Sequence, residues 1–271
     1  AKIFKVKGRP QNHPLIVHIA HIDQLHRVAR DIHPDAIKLA HVCWPGPLTL
    51  LLQRNENVSM SITGGRDTVA VRIPDNAFTR QLILDLGSPI AAPSANRFGK
   101  VSPTTAQHVC DDLQNDVDLI VDDGASSIGV ESTIIDFSVS PPQLLRPGGI
   151  PIEDIEQILG YTIRDTDGIS RASGMLQNHY QPSCNVLLVF TDQEAQQLKD
   201  TLVSQYERVR ILNRCDNLPL YATLLYSDLR QADTDLIQAL IAVLPENNGL
   251  GAAIRDRLTK AAGSEPPLPA S

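Results

Sequence analysis

Three arginines of this chain stand beside short apolar runs, and what surrounds them decides what they can do. They are Arg9, Arg72 and Arg146. A guanidinium is a planar fork of N–H donors that matches the paired oxygens of carboxylate and phosphate. Arg9 follows Lys7 and Gly8, so two cations one residue apart can reach one anion if the backbone is extended. Arg72 ends the strand-like run Thr68-Val69-Ala70-Val71, in which Thr68 and Arg72 alternate to the same face. Arg146 comes just before Pro147-Gly148-Gly149. Small polar groups accompany these cations, in Ala92-Pro93-Ser94-Ala95-Asn96 and in Gly129-Val130-Glu131-Ser132-Thr133. A tight Pro-Ser-Ala-Asn turn at a sheet edge can turn backbone N–H groups toward a phosphate, although Ser and Asn are also ordinary turn residues. Rigid strands that carry cations and hydroxyls at a concave face are suited to anionic ligands. No Cys–His or Ser–His–Asp pattern has supporting context, so the chemistry rests on positioning and fixed positive charge.

Elements able to hold these groups alternate along the chain without a clean βαβ period. Residues 1–8 read as the end of a helix, 15–19 as a short strand, and 22–31 and 34–42 as helices. Leu48 to Leu52 is a continuous apolar run suited to a strand buried on both faces. Further strands are expected at 69–73, 89–91, 118–121, 132–137 and 143–145. Helices are expected from an Asp75 or Asn76 cap through Leu86, from Ser102-Pro103 through 113, and from Pro151 to Leu159. After a Gly- and Ser-rich stretch, strands at 186–190, 208–212 and 237–243 alternate with helices at 192–204, 220–231 and 250–262. The fold expected is α/β, with a twisted, mixed, open sheet and a concave positive cavity, followed by a small Rossmann-like α/β domain. The boundaries drawn are 1–159 for the first domain, 160–184 for a linker or lid, 185–263 for the second domain, and 264–271 for a disordered, proline-rich tail.

Bulk properties exclude several classes. The chain has 271 residues, enough for one large or two modest domains. Its net charge of −7 and 4% aromatic content argue against a surface built mainly for nucleic acid. No apolar run approaches a membrane span, and the first ten residues lack the apolar core of a signal peptide. Four cysteines lie far apart with no CxxC pair, as expected for reduced thiols in a cytoplasmic protein. His21, His26, His33 and His41 match no structural zinc spacing, so no protein-bound metal is expected.

Taken in order, these motifs resemble the YrdC-like family of L-threonylcarbamoyladenylate synthases in its longer, two-domain form. The residues that carry the resemblance are Lys7-Gly8-Arg9 running into Pro14–His18, Trp44-Pro45-Gly46-Pro47-Leu48-Thr49, 68–74, Ala92–Asn96, 129–136 and Leu145–Gly149. Leu224-Leu225-Tyr226, 249–254 and Asp256-Arg257-Leu258 resemble the family's C-terminal domain. Such resemblance implies an enzyme that joins L-threonine, bicarbonate or CO2, and ATP with its Mg2+ into threonylcarbamoyl-AMP, releasing pyrophosphate. A downstream transferase complex would then modify tRNA next to the anticodon, so tRNA is met only indirectly and no membrane is involved. The resemblance assigns ATP to Lys7, Arg9, His13, Thr68, Ser94, Asn96, Arg146 and Tyr180, with Lys7 and Arg9 as the catalytic cations. It assigns L-threonine to His18, Arg72, Ala92 and Ser132. Glu131 and Asp136 are candidates for indirect magnesium contacts. Where many relatives have Asn, this chain has His13, and Tyr180 is expected to fold over the ligand from an exposed lid. The family also carries a strand and a Pro-Thr-x-Thr-x-Tyr-Gly-Leu stretch upstream of the point where this sequence starts, so the first domain is expected to be N-terminally truncated. The competing reading is a non-catalytic RNA-binding module of the same fold. A carbamoyl-transfer domain of a hydrogenase-maturation protein would need CxxC pairs that are absent.

Overall fold

Alternation of side chains along the central strands sorts this chain's residues into two faces with different tasks. The strands are β1 (Ile16–His18), β2 (Ala29–Arg30), β3 (Leu48–Arg54), β4 (Thr68–Arg72), β5 (Ile90–Ala92), β6 (Thr133–Asp136), β7 (Gln143–Arg146) and β8 (Arg164–Asp165), followed by β9 (Asn185–Val189), β10 (Val209–Leu212) and β11 (Ala239–Val243). The computed structural model describes residues 2–166 and 180–263. Among these, the first eight strands form one mixed sheet in the order β5-β1-β4-β3-β6-β7-β8, with β2 paired to β3. On one face Val17, Leu48, Leu50, Leu52, Val69, Val71, Ile135 and Leu144 join the main hydrophobic core. That core is completed by Leu25 and Val28, by Ala36, Leu39 and Ala40 of helix Pro34–Cys43, and by Ile155 and Leu159 of helix Ile152–Leu159. The other face carries only a small apolar cluster of Leu51, Ala70, Ile134 and Leu145. His18, Arg72, Thr68 and Thr49 fall on that second face by the period-2 rule.

Contacts divide the chain into two units, neither continuous in sequence: residues 10–93 with 131–166, and residues 2–9 with 94–130 and 180–263. They cut across the boundaries drawn from sequence. The first unit contains the whole mixed sheet. In the second, β9, β10 and β11 form a parallel sheet in the order β10-β11-β9. Parallel strands with intervening helices are what the alternation predicted, but the last strand is central. A mononucleotide-binding half places its second strand there. Helix Leu218–Thr234 and helix Gly249–Ala262 supply Tyr221, Leu225, Tyr226, Leu229, Ile254 and Leu258 to its core.

Several local expectations need correction. Residues 22–31 form a 3-10 turn at Ile22–Gln24, a short helix at Leu25–Val28 and then β2, because Ala29 and Arg30 pair with Arg54 and Gln53. No strand forms at 118–121, where Leu119 and Val121 are exposed instead. The helix expected from Ser102 starts at Ala106, capped by Thr105, whose hydroxyl accepts from the His108 N–H. Part of the expected linker, Arg164–Asp165, is strand β8, and residues 167–179, with His179, lie outside the described residues.

Candidate active site

One end of the mixed sheet gathers four of the candidate residues. β1 and β4 run parallel with His18 in register with Arg72, so both reach the same end. β3 and β6 start there, which brings Thr49 and Ser132 alongside. β7 ends there, with Arg146 opposite Ile134. A β-bulge between Ile134 and Ile135 shifts the register and re-aims the end of that strand. Gly148 packs the following turn flush against the 131–133 backbone. A Cβ at that position would stand 2.4 Å from the Glu131 carbonyl oxygen and the Thr133 nitrogen, so a side chain there would force the two segments apart. The close approach lets Arg146 Nε and Nη2 donate to the Ser132 carbonyl at 3.1 and 2.8 Å, and Nη2 also to the Ser132 hydroxyl at 3.1 Å. Thr49, fully buried, completes the cluster with a 2.7 Å hydroxyl–hydroxyl bond to Ser132.

Arg72 is held by its Nε, which donates to the Gly46 carbonyl at 2.9 Å. Gly46 is needed because a Cβ would lie 2.4 Å from the Cys43 carbonyl oxygen as the chain folds back. The two terminal nitrogens of Arg72 then have no hydrogen-bond partner among the described residues. Burial, and next the charge of Arg146, lower the pKa of Arg72 to about 10, against partial relief from Asp75. Two close guanidiniums make this end of the sheet positive. His18 is half-buried, and burial together with the Arg72 charge pushes its pKa down to about 4, with the Ile90 and Ile16 carbonyls opposing the shift. Nδ1 is buried, and among the described residues no acceptor or donor reaches it with full hydrogen-bond geometry. The imidazole is therefore neutral near pH 7 and has an unsatisfied ring nitrogen. A buried ring nitrogen beside an oriented guanidinium fork suits the binding of a polar, negatively charged group.

Other candidates of this unit lie farther along the same strands. Thr68 begins β4, roughly 13 Å from Arg72 at about 3.3 Å per residue. His13 sits in the turn leading into β1, at that same end. Ala92 pairs with Ile16, two positions back from His18. Asp136 closes β6 at the opposite end from Ser132, and its Oδ1 accepts from the Ser138 N–H and hydroxyl. That carboxylate organises a turn.

In the other unit, the Ser94–Asn96 turn is held from inside by Lys7. Its ammonium donates to the carbonyls of Ser94 (2.7 Å) and Asn96 and to Asn96 Oδ1 (3.2 Å). These three acceptors account for all three ammonium protons. Burial, then the neighbouring Arg9, lower the Lys7 pKa to about 8. Asn96, also buried, accepts from the Ser94 hydroxyl at 2.6 Å and donates to the Lys100 carbonyl at 2.8 Å. Lys7 and Asn96 thus build the turn, and a ligand would have to take one of these bonds from Lys7. Ser94 is exposed at its tip, and Arg9 lies over the Phe98 ring at 5.8 Å.

Tyr180 overturns the expectation of an exposed lid. It is 1% exposed, stacked on Tyr226 with ring centroids 5.2 Å apart, and covered by the guanidinium of Arg257 at 5.4 Å. Its φ of 63° is unusual for a tyrosine, and this packing holds it there. Thr49 joins the Ser132 cluster although the sequence does not single it out. Its only signal was a hydroxyl in an otherwise apolar buried run.

Comparison with known proteins divides the chain once, near residue 149. A family model described as "Telomere recombination" (Sua5/YciO/YrdC) matches residues 1–148, and the model of the threonylcarbamoyl-AMP synthase C-terminal domain matches 150–263. Threonylcarbamoyl-AMP synthases from Pyrococcus abyssi and Bacillus subtilis are 40% and 38% identical, over 97% of this chain and 84% and 83% of their own. The Schizosaccharomyces pombe enzyme is 35% identical over 96% of this chain and 79% of its own. The crystal structure of P. abyssi Sua5 complexed with L-threonine superposes with a TM-score of 0.90 at 39% identity, covering 96% of this chain and 83% of that one. The chain belongs to the two-domain threonylcarbamoyl-AMP synthase family, whose members are nucleotidyltransferase-type enzymes.

Proposed function

We propose that this chain forms L-threonylcarbamoyl-AMP from L-threonine, bicarbonate or CO2, and ATP, with release of pyrophosphate. The product would go to a separate transferase that modifies tRNA beside the anticodon. The observation that carries this reading is the Arg72 fork, oriented by the Gly46 carbonyl and in register with the unpartnered Nδ1 of His18. It suits the carboxylate of an amino acid, and the threonine-bound P. abyssi relative supports threonine as that amino acid.

The reaction makes one C–N and one P–O bond. The threonine amine, once deprotonated, adds to CO2 to give a carbamate. A carbamate oxygen attacks the α-phosphorus, and the bond to the β-phosphate breaks as pyrophosphate leaves. A neutral imidazole with a pKa near 4 is too weak a base to deprotonate an ammonium, so His18 orients threonine by hydrogen bonding. Ser132, fixed by Thr49 and Arg146, would meet the threonine side chain. Arg146 and Arg9 would neutralise phosphate charge, with Ser94, Thr68 and His13 as further nucleotide contacts and Lys7 holding the turn that carries Ser94. Magnesium would arrive on the triphosphate, whose oxygens are its usual ligands. The test is pyrophosphate release from ATP, which should require both threonine and bicarbonate. Release that ignores threonine would sink this reading.

A further inference from the structure

Helix Leu218–Thr234 carries a row of polar side chains that has no evident part in catalysis. Thr223, Ser227 and Arg230 recur at the i, i+4, i+7 spacing that places residues on one helical face. Each meets the segment that follows the Ser94–Asn96 turn. The Thr223 hydroxyl, whose nearer acceptor is the Pro219 carbonyl of its own helix at 2.9 Å, lies 3.3 Å from the Ser127 carbonyl, and Ser227 shares a 3.0 Å hydroxyl bond with Thr104. Arg230 does most. Its Nη1 and Nη2 grip the two oxygens of Asp112 at 3.1 and 2.6 Å, while Nη2 and Nε donate to the consecutive carbonyls of Val101 and Ser102 at 2.5 and 3.3 Å. The pair is nearly buried, with side chains 14% and 16% exposed.

We infer that Arg230 is a positioning residue for the Ser94–Asn96 turn, so that the C-terminal domain builds part of the nucleotide site. The connection is short and continuous. Arg230 pins Val101 and Ser102, the adjacent Lys100 carbonyl accepts from Asn96, and Asn96 with Lys7 shapes the turn that presents Ser94. A planar fork suits this task because it meets two successive carbonyls and both oxygens of a carboxylate, four acceptors where an ammonium has only three protons. The inference rests on the proposal that this turn contacts ATP.

The test uses the full chain. Removing Arg230 alone would leave Asp112 buried and unpaired, so the variant is the double substitution Arg230→Met, Asp112→Leu, which replaces the pair by apolar groups. Backbone amide exchange without ligand should be faster at residues 94–102, and ATP affinity should fall about tenfold while threonine affinity stays within about twofold, an effect of roughly 1.4 kcal/mol on one ligand. Asp112→Asn, which keeps the bonds from Arg230 to the two carbonyls, should disturb the same amides less. Arg230→Lys should disturb them measurably, and it serves if the double variant folds poorly. Unchanged exchange at 94–102 in both the double variant and Arg230→Lys overturns the inference. Faster exchange with unchanged ATP affinity would support the latch and overturn instead the assignment of the turn to the nucleotide.

Discussion

Two clusters of polar residues in this chain have opposite balances. At the sheet end, Arg72, Arg146 and His18 crowd together with more donors than acceptors, and positive charge is left facing positive charge. Around the Ser94 turn, Lys7, Asn96 and Arg230 are matched to acceptors on the protein itself. The first pattern costs stability, which a bound carboxylate would offset on the function proposed above. The second contributes stability and holds a shape. The difference teaches where to look for each kind of effect: substitutions at the sheet end should read out in binding and pH dependence, and those around the turn in stability first.

The largest effect should come from Tyr180→Ala. Emptying a buried aromatic position between Tyr226 and Arg257 costs about 3–5 kcal/mol, measured as a lowered urea midpoint, and Tyr180→Phe should keep most of that stability because it keeps the ring. Loss of turnover with the urea midpoint unchanged would make Tyr180 a lid after all and break the comparison.

Next in size is a pH effect at the sheet end. An unfolded histidine titrates near 6.5 and His18 in the fold near 4. Above 6.5 both states are neutral and the group contributes nothing. As pH falls from 6.5 to 4 the unfolded chain takes up a proton that the fold refuses, so stability drops by up to about 3 kcal/mol. Urea midpoints at several pH values in this window should fall more steeply for the wild type than for His18→Gln. Parallel slopes would mean that the imidazole is not held neutral by its site.

Much of the sheet was legible because a period of two is local information. Leu48 to Leu52 and Val69 to Ile73 state their own burial, and Asn76 announces its helix by capping Thr79. Partnership is not local. Asp118-Leu119-Ile120-Val121 has a strand's composition, yet among the described residues it joins no sheet and leaves Leu119 exposed. The reading of Tyr180 failed for the same reason: its neighbours are flexible residue types, while its burial comes from Tyr226 and Arg257 far along the chain. Types and spacing single out Arg72, Arg146 and Lys7 alike, whereas the part Lys7 has in building the 94–96 turn shows only in its three acceptors.

Arg72→Lys sharpens the comparison at intermediate size. Lysine keeps the charge but loses the fork and the Nε bond to Gly46, so the threonine KM should rise by about 10- to 100-fold, equivalent to roughly 1.5–3 kcal/mol, with little change for ATP. Equal effects on both substrates would contradict a carboxylate role for Arg72.

The smallest effect, and the finest test, concerns Thr49. It sits beneath Ser132, fully buried, and their hydroxyls are 2.7 Å apart. Arg146 already donates to the Ser132 oxygen, so the Ser132 proton is free to point either toward Thr49 or toward a ligand. Thr49→Val keeps the shape and removes the one side-chain acceptor among the described residues that can bias this choice. One neutral hydrogen bond is worth about 1 kcal/mol, so the threonine KM should rise about fivefold while the ATP KM and the urea midpoint change little. Thr49→Ser, which restores the hydroxyl, should recover most of the loss. If Thr49→Val instead lowers stability by several kcal/mol and leaves both KM values alone, Thr49 belongs with Lys7 and Asn96 among the groups that hold the fold. The contrast between the two clusters would then stop at the edge of the sheet, with Arg72 and His18 as its ligand-facing part.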